Sequence, residues 1–339
     1  MHAAAHTRAV LPRQASLRRR GGATARAVRA SAVSPSREAA LRELAGAIAD
    51  VQFLPPSQRR EGSESAAKQA KQLLSGLKEA GDFSLYDSYT GRTQRRNIAL
   101  FELRQVGVQD PDKIGLPSVR NDAAFLGTVV FGSSALALVL GQLPGDWGFF
   151  GMYLSGGLSI AVLGVGSVAP GLLQVPISLF SNVFPDYRDR VLRHEAAHFL
   201  VGYLLGVPVV NYSLDIGAEH TDFLEARLER KLISPQRLDD AELDALAVVA
   251  MAGVAAEALQ FPEVVGQNAD LYLLQKTFSR AATPLASGAQ QNLTRWAVWQ
   301  AAAMLKANAA AFEALQLAMA RRAPVVECIQ AIEAAAAPK

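Results

Sequence analysis

Cysteine occurs once in the 339 residues, as Cys328. That single thiol excludes a disulfide framework and any zinc or iron–sulfur site built on several cysteines. Charged residues are sparse, at 19%, while half the chain is apolar; this balance excludes a largely disordered protein. No G-x-x-x-x-G-K-S/T run occurs, so no loop of that kind cradles nucleotide phosphates. Histidine is scarce, with five in all, and from Met1 to Ser34 there is no acidic residue against seven arginines.

That arginine-rich, Ala/Ser-rich and acid-free stretch has the composition of an organelle transit peptide, expected here over residues 1–34. The run VRASAVS at Val28–Ser34 looks like a stromal processing site, so a plastid is expected ahead of a mitochondrion. Without residues 1–30 the chain keeps 27 basic and all 31 acidic residues, a formal charge near −4. The sequence pI of about 9.0 therefore belongs to the leader, and no nucleic-acid partner is expected.

The rest reads as mainly α. Leu41, Leu44, Ile48 and Val51 recur at helical spacing, and a second helix is expected from a cap at Ser63 to a stop at Gly81. About forty residues of turn signals and short strand-like pieces follow, so 35–120 reads as a small soluble N-terminal region. A membrane hairpin is expected over 121–182. Ala123–Leu143 carries no charge for 21 residues, and after the turn Pro144-Gly145-Asp146 the run Trp147–Phe180 is again uncharged, each long enough for a span. Lys113, Arg120, Arg188, Arg190 and Arg193 near the outer ends, against Asp146 in the turn, place both flanking regions on the cytoplasm-like face, which in a plastid is the stroma.

Residues 183–339 hold the motif with chemistry in it. His194-Glu195-Ala196-Ala197-His198 is H-E-x-x-H inside an expected helix from Asp186 to Leu205, with Pro185 before it and Gly206 after it. Residues four apart share a helix face, so both imidazoles can bind one ion. Glu195, about 100° round the helix, can reach a metal-bound water as general base without being a ligand. Outside the leader only one other histidine exists, His220 in GAEHTDF, which reads as a surface or loop residue. The third ligand should then be a carboxylate from a distant helix. A long helix is expected downstream over Asp239–Phe261, and alanine-rich helices over 289–336.

The run Met251-Ala-Gly-Val-Ala-Ala-Glu257-Ala-Leu259, then Phe261, Gly266 and Asp270-Leu271, together with H-E-x-x-H, resembles the zinc peptidase domain of the FtsH family over residues 186–335. The resemblance implies a helical peptidase fold with a short β element, Zn2+ held by His194, His198 and Asp270, and Glu195 as catalytic base. It departs from the family in lacking the ATPase module, in Ala197 within the motif, in Ala252 and Val254, and in a shorter stretch from Glu257 to Gly266. In this it is similar to plastid FtsH-like proteins that keep hairpin and peptidase alone.

The function expected is a membrane-anchored zinc metalloendopeptidase, without its own ATPase, acting on unfolded or membrane proteins and peptides. It would sit in a thylakoid or inner-envelope bilayer, as a homo-oligomer or beside FtsH-type ATPase subunits. The alternative is an inactive FtsH-like scaffold or auxiliary subunit of a protease complex. An intramembrane metalloprotease fits less well, because Arg188, Arg190 and Arg193 crowd the motif.

Overall fold

A computed structural model describes residues 35–52, 59–91, 94–116, 118–215, 219–223 and 237–336; the expected leader, 1–34, lies outside the described residues. The described residues form thirteen α-helices and one small sheet. α1 (Pro35–Gln52) and α2 (Arg59–Glu79) pair as a helical hairpin, with Leu41, Leu44 and Ile48 of α1 buried on one face. α2 starts four residues ahead of Ser63. Where turns and strand-like pieces were expected, α3 (Leu100–Val106) forms instead. Glu102 accepts the Ala99 N–H at its start, and Gly107, at φ 104°, stops it.

α4 (Arg120–Leu140) and α5 (Asp146–Val168) form a hairpin that is inside out for a water-soluble protein. Phe131, Leu138, Ile160 and Val168 point outward, each more than 70% exposed, while Ser133, Ser155 and Ser159 are buried between the helices. Ser155 Oγ donates to the Ser133 carbonyl at 2.8 Å, and the Ser133 and Ser159 hydroxyls share a hydrogen bond. Both helices are long and apolar enough to cross a membrane. In a bilayer, apolar surface faces lipid and hydroxyls join the helices, so the pair are candidate spans. The turn between them requires Gly148, since a Cβ there would lie 2.1 Å from the Leu143 carbonyl oxygen. A 3₁₀ turn (Pro170–Leu173) and α6 (Gln174–Ser181) bring the chain back along α4, where Asn121 Nδ2 donates to Ser181 Oγ at 2.8 Å.

α7 (Tyr187–Leu204) is the central helix of the C-terminal part, buried without a break from His194 to Leu204. Around it sit the antiparallel strands β1 (Val209–Ser213) and β2 (His220–Phe223), in which Tyr212 faces Thr221 and Ser213 faces His220. α8 (Asp240–Ala250), α9 (Ala252–Gln260), α10 (Gln267–Phe278), α11 (Ser287–Ala307), α12 (Ala309–Ala320) and α13 (Val325–Ala336) complete the fold. The single helix expected over 239–261 is therefore two, divided at Met251.

One hydrophobic core runs through both ends of the chain: Leu41, Leu74, Phe83 and Tyr86 share it with Phe199, Tyr203, Trp296 and Ile329. Polar contacts tie the same parts together. Glu333 of α13, buried, accepts the N–H groups of Ser84, Leu85 and Tyr86 at 2.6–3.0 Å and the Tyr203 hydroxyl at 2.7 Å. Trp296 Nε1 donates to the Gln94 carbonyl, and Gln109 N–H to that of Ala258. Two outcomes are expected in thermal melts followed by circular dichroism. A fragment of residues 181–339 should show no cooperative transition where the full chain shows one. Glu333→Gln, which sets an amide against backbone donors, should lower stability by about 3 kcal/mol. A sharp melt from the fragment would mean that residues 35–116 are dispensable to the fold.

Candidate metal centre

The four-residue spacing on α7 does what helix geometry requires. The His194 and His198 rings lie with centroids 4.8 Å apart, both turned toward the first turn of α10. There Asp270 presents Oδ2 at 3.2 Å from His194 Nε2 and Oδ1 at 3.3 Å from His198 Nε2. All three side chains are buried, and their ligand atoms lie within 4.8 Å of one another. The residues expected as ligands are thus brought together. Glu195 is the expected non-ligand: it is buried beside the group, and Thr221 Oγ1 of β2 donates to its Oε2 at 2.7 Å.

The opposite edges of the two rings decide what the centre needs. His194 Nδ1 meets Glu257 Oε1 at 2.9 Å, and His198 Nδ1 meets the Val249 carbonyl at 2.9 Å. Both partners can only accept, so each Nδ1 carries a proton and each neutral ring turns an Nε2 lone pair toward Asp270. A carboxylate facing two lone pairs in the protein interior is unfavourable unless a cation or extra protons lie between them. Asp270 Oδ2 is also a buried oxygen with no hydrogen bond. Two imidazoles and one carboxylate are the protein donor set of a catalytic zinc site. The residues fit the metal.

Without metal, protons do the same work. Burial disfavours a charged imidazole, but the Asp270 carboxylate outweighs it and raises both histidines above their usual range. Burial would likewise raise Asp270, and the two rings overcome it, His198 first, holding that carboxyl far below the ordinary range.

The supporting shell is the part that the motif does not reveal. Glu257 of α9, buried, accepts four groups: His194 Nδ1, the N–H of Val265 at 3.0 Å, the N–H of Gly266 at 3.1 Å and Arg190 Nη1 at 3.1 Å. Burial would raise its carboxyl, and His194, Val265 and Arg190 together hold it low. Arg190 in turn donates to Asp186 Oδ2 and to the Glu263 carbonyl, both at 2.6 Å, and lies 3.9 Å over the Phe261 ring. The sequence suggests Arg190 as one of the cations that set membrane orientation. Buried and paired, it cannot serve there, whereas Lys113 and Arg188 remain exposed.

Gly253 explains one sequence choice, since a Cβ there would sit 2.3 Å from His194 Nε2. The division at Met251 explains another. Val249 falls in the last turn of α8, where carbonyls lack helical partners, and so it is available to His198. His220, expected on the surface or in a loop, opens β2 and lines a groove of about 640 Å³ with Asn211 and Arg322, outside the ligand group. Of these features, Glu257 had a legible signal, a lone carboxylate in an alanine-rich buried helix. Thr221 and the Val249 carbonyl had none.

Comparisons with protein-family models, curated proteins and solved structures found no match to the chain. What the centre can do rests on its own geometry, and two measurements probe it. Gly253→Ala should weaken zinc binding by roughly tenfold or more, because the methyl displaces an imidazole. Zinc binding near pH 7 should release protons from the raised histidines, so affinity should climb with pH until those groups have titrated. Calorimetry in buffers of different ionisation enthalpy reads this directly, and zero proton release at pH 7 would contradict that arrangement.

Proposed function

We propose that the chain is an FtsH-like, membrane-anchored zinc metalloendopeptidase without its own ATPase. The observation that carries the reading is the buried pair of histidine Nε2 atoms facing both oxygens of Asp270 at 3.2 and 3.3 Å, with the Glu195 carboxylate beside them.

His194, His198 and Asp270 would hold the zinc. When bound, zinc supplies Lewis acidity, polarising a substrate carbonyl and making water acidic enough to attack near neutral pH. The chain's own residues supply the rest. Thr221 fixes Glu195 Oε2 and so aims the carboxylate, leaving Oε1 to take a proton from the attacking water and pass it to the departing amine. Glu257 and the Val249 carbonyl keep one proton of each histidine on Nδ1, so the edge that gives up its proton to an arriving ion is Nε2. Burial keeps bulk water from competing for these groups.

The outward apolar faces of α4 and α5 support a bilayer anchor, and the exposed Lys113 and Arg188 support a stromal side for both flanking parts. The plastid assignment, thylakoid or inner envelope, rests on the leader. Substrates would be unfolded proteins, peptides or loosely held segments of membrane proteins. ATP-driven unfolding, if it contributes, would come from FtsH-type subunits joined to this chain, in line with the missing phosphate loop.

The test uses the full chain in detergent micelles, loaded with zinc and offered casein. The wild type should cleave it. Glu195→Gln should retain zinc and lose at least about 100-fold in rate, while Asp270→Asn should lose both metal and activity. Equal rates for wild type and Glu195→Gln would remove the peptidase reading. Bound zinc with no cleavage in either would leave the scaffold.

A further inference from the structure

An unbroken run of charged contacts joins the membrane hairpin to the metal ligands. Arg120, the first residue of α4, places Nη1 3.2 Å from Asp186 Oδ2. The same oxygen accepts from Arg190 Nε at 2.6 Å, and Arg190 Nη1 reaches Glu257 Oε2 at 3.1 Å. Glu257 Oε1 then meets His194 Nδ1 at 2.9 Å. A parallel set of hydrogen bonds holds the turn that leads to Asp270. Ser118 Oγ donates to Glu263 Oε1 at 2.9 Å, and Gln267 Nε2 donates to the Leu116 carbonyl. Both partners lie just ahead of the hairpin.

We infer that Arg120 and Asp186 are positioning residues of the metal centre, through which the base of the hairpin sets how tightly His194 binds zinc. The inference rests on the metal reading of the site. Its physical basis is the division of one charge. Arg190 is only 5% exposed and shares its positive charge between two carboxylates, Asp186 and Glu257. If Asp186 is neutralised, Arg190 turns its full charge on Glu257. Glu257 then pulls less on the Nδ1 proton of His194, and the Nε2 lone pair becomes a weaker donor. If Arg120 is neutralised, Asp186 draws more of the Arg190 charge, which by itself would strengthen Glu257. It also loses the contact that fixes its place, so Glu257 and His194 are held less firmly; the two effects oppose and the loss of position dominates. The effect should therefore be larger at Asp186 than at Arg120.

Simple stabilisation does not account for the arrangement. The Arg120–Asp186 pair is about a quarter to a third exposed, and pairs in that setting add little to folding. What distinguishes it is where it leads. Arg104–Asp112, at 2.7 Å and more than half exposed, is a pair that leads nowhere and serves as the control.

The experiment is a chelator-competition titration of zinc on the full chain in detergent micelles, with the melting temperature of each metal-free protein measured in parallel. Asp186→Asn should bind zinc roughly tenfold more weakly, and Arg120→Gln roughly three- to fivefold. Arg120→Lys, which keeps the charge, should recover most of that loss, and Arg104→Gln should match the wild type. Metal-free melting temperatures should agree within a few degrees. Wild-type affinity in both Asp186→Asn and Arg120→Gln overturns the inference. Should Asp186→Asn lose its metal-free melt, Arg120→Gln and its lysine rescue decide alone. A wild type that takes up no zinc removes the metal reading itself, a result distinct from either.

Discussion

A carboxylate and two imidazole lone pairs meet inside this protein, and the rest of the fold is arranged around that fact. Left to themselves, Asp270 and the Nε2 edges of His194 and His198 repel. Only a cation, or protons taken up against the cost of burial, makes the arrangement favourable. Such a cluster persists when neighbouring structure leaves its members nowhere else to go. α7 holds both histidines on one face, the first turn of α10 delivers Asp270, and the outer ring edges are tied to a carboxylate and a carbonyl that cannot donate. The break between α8 and α9, the turn at 263–266 and the base of the α4–α5 hairpin all stand in relation to these ties.

The buried carboxylates show how far the support extends. Glu257 gathers a ring N–H, two backbone N–H groups and a guanidinium, and Glu333 gathers three backbone N–H groups and a tyrosine hydroxyl. Each sits where an unpaired charge would be very costly, and each joins segments far apart in sequence. Glu257 connects α7 to the turn before α10. Glu333 connects the last helix to the 84–86 turn and to Tyr203, between two and three helical turns beyond His194. The turn that follows the N-terminal helices therefore braces the helix that bears the histidines, with Asp87 and Tyr89 N–H groups donating to the Tyr203 and Leu204 carbonyls, although it contributes no ligand.

How much of this was legible depends on the range of each signal. H-E-x-x-H on a helix bounded by Pro185 and Gly206 is a local pattern, and α7 forms over nearly the expected residues. The two uncharged runs give α4 and α5 for the same reason. The helix at 100–106 is hard to read because it is a single capped stretch of seven residues, held by Asn292, Ala258 and the core rather than by its own periodicity. The division at Met251 left no mark either, since alanine, valine and methionine continue a helix on propensity alone; what accompanies the break is the hydrogen bond that His198, on α7, donates to the Val249 carbonyl. Thr221 reaches Glu195 across a strand–helix contact that no spacing encodes.

Alanine, so abundant here, is a geometric requirement of the centre. Ala196 and Ala197 on α7, and Ala252, Ala255 and Ala256 on α9, are almost completely buried, and those two helices pack against each other. Larger side chains would hold the helices apart, and Glu257 would no longer reach His194 Nδ1. At Gly253 even one carbon is too many, because the imidazole itself occupies the space a Cβ would fill. A chain that brings two helices this close uses short residues at the contact and keeps its few long polar ones for the points where they must touch. The high apolar fraction and the sparse charge of the sequence are two aspects of that one constraint, with the outward apolar faces of α4 and α5 as the separate contributor.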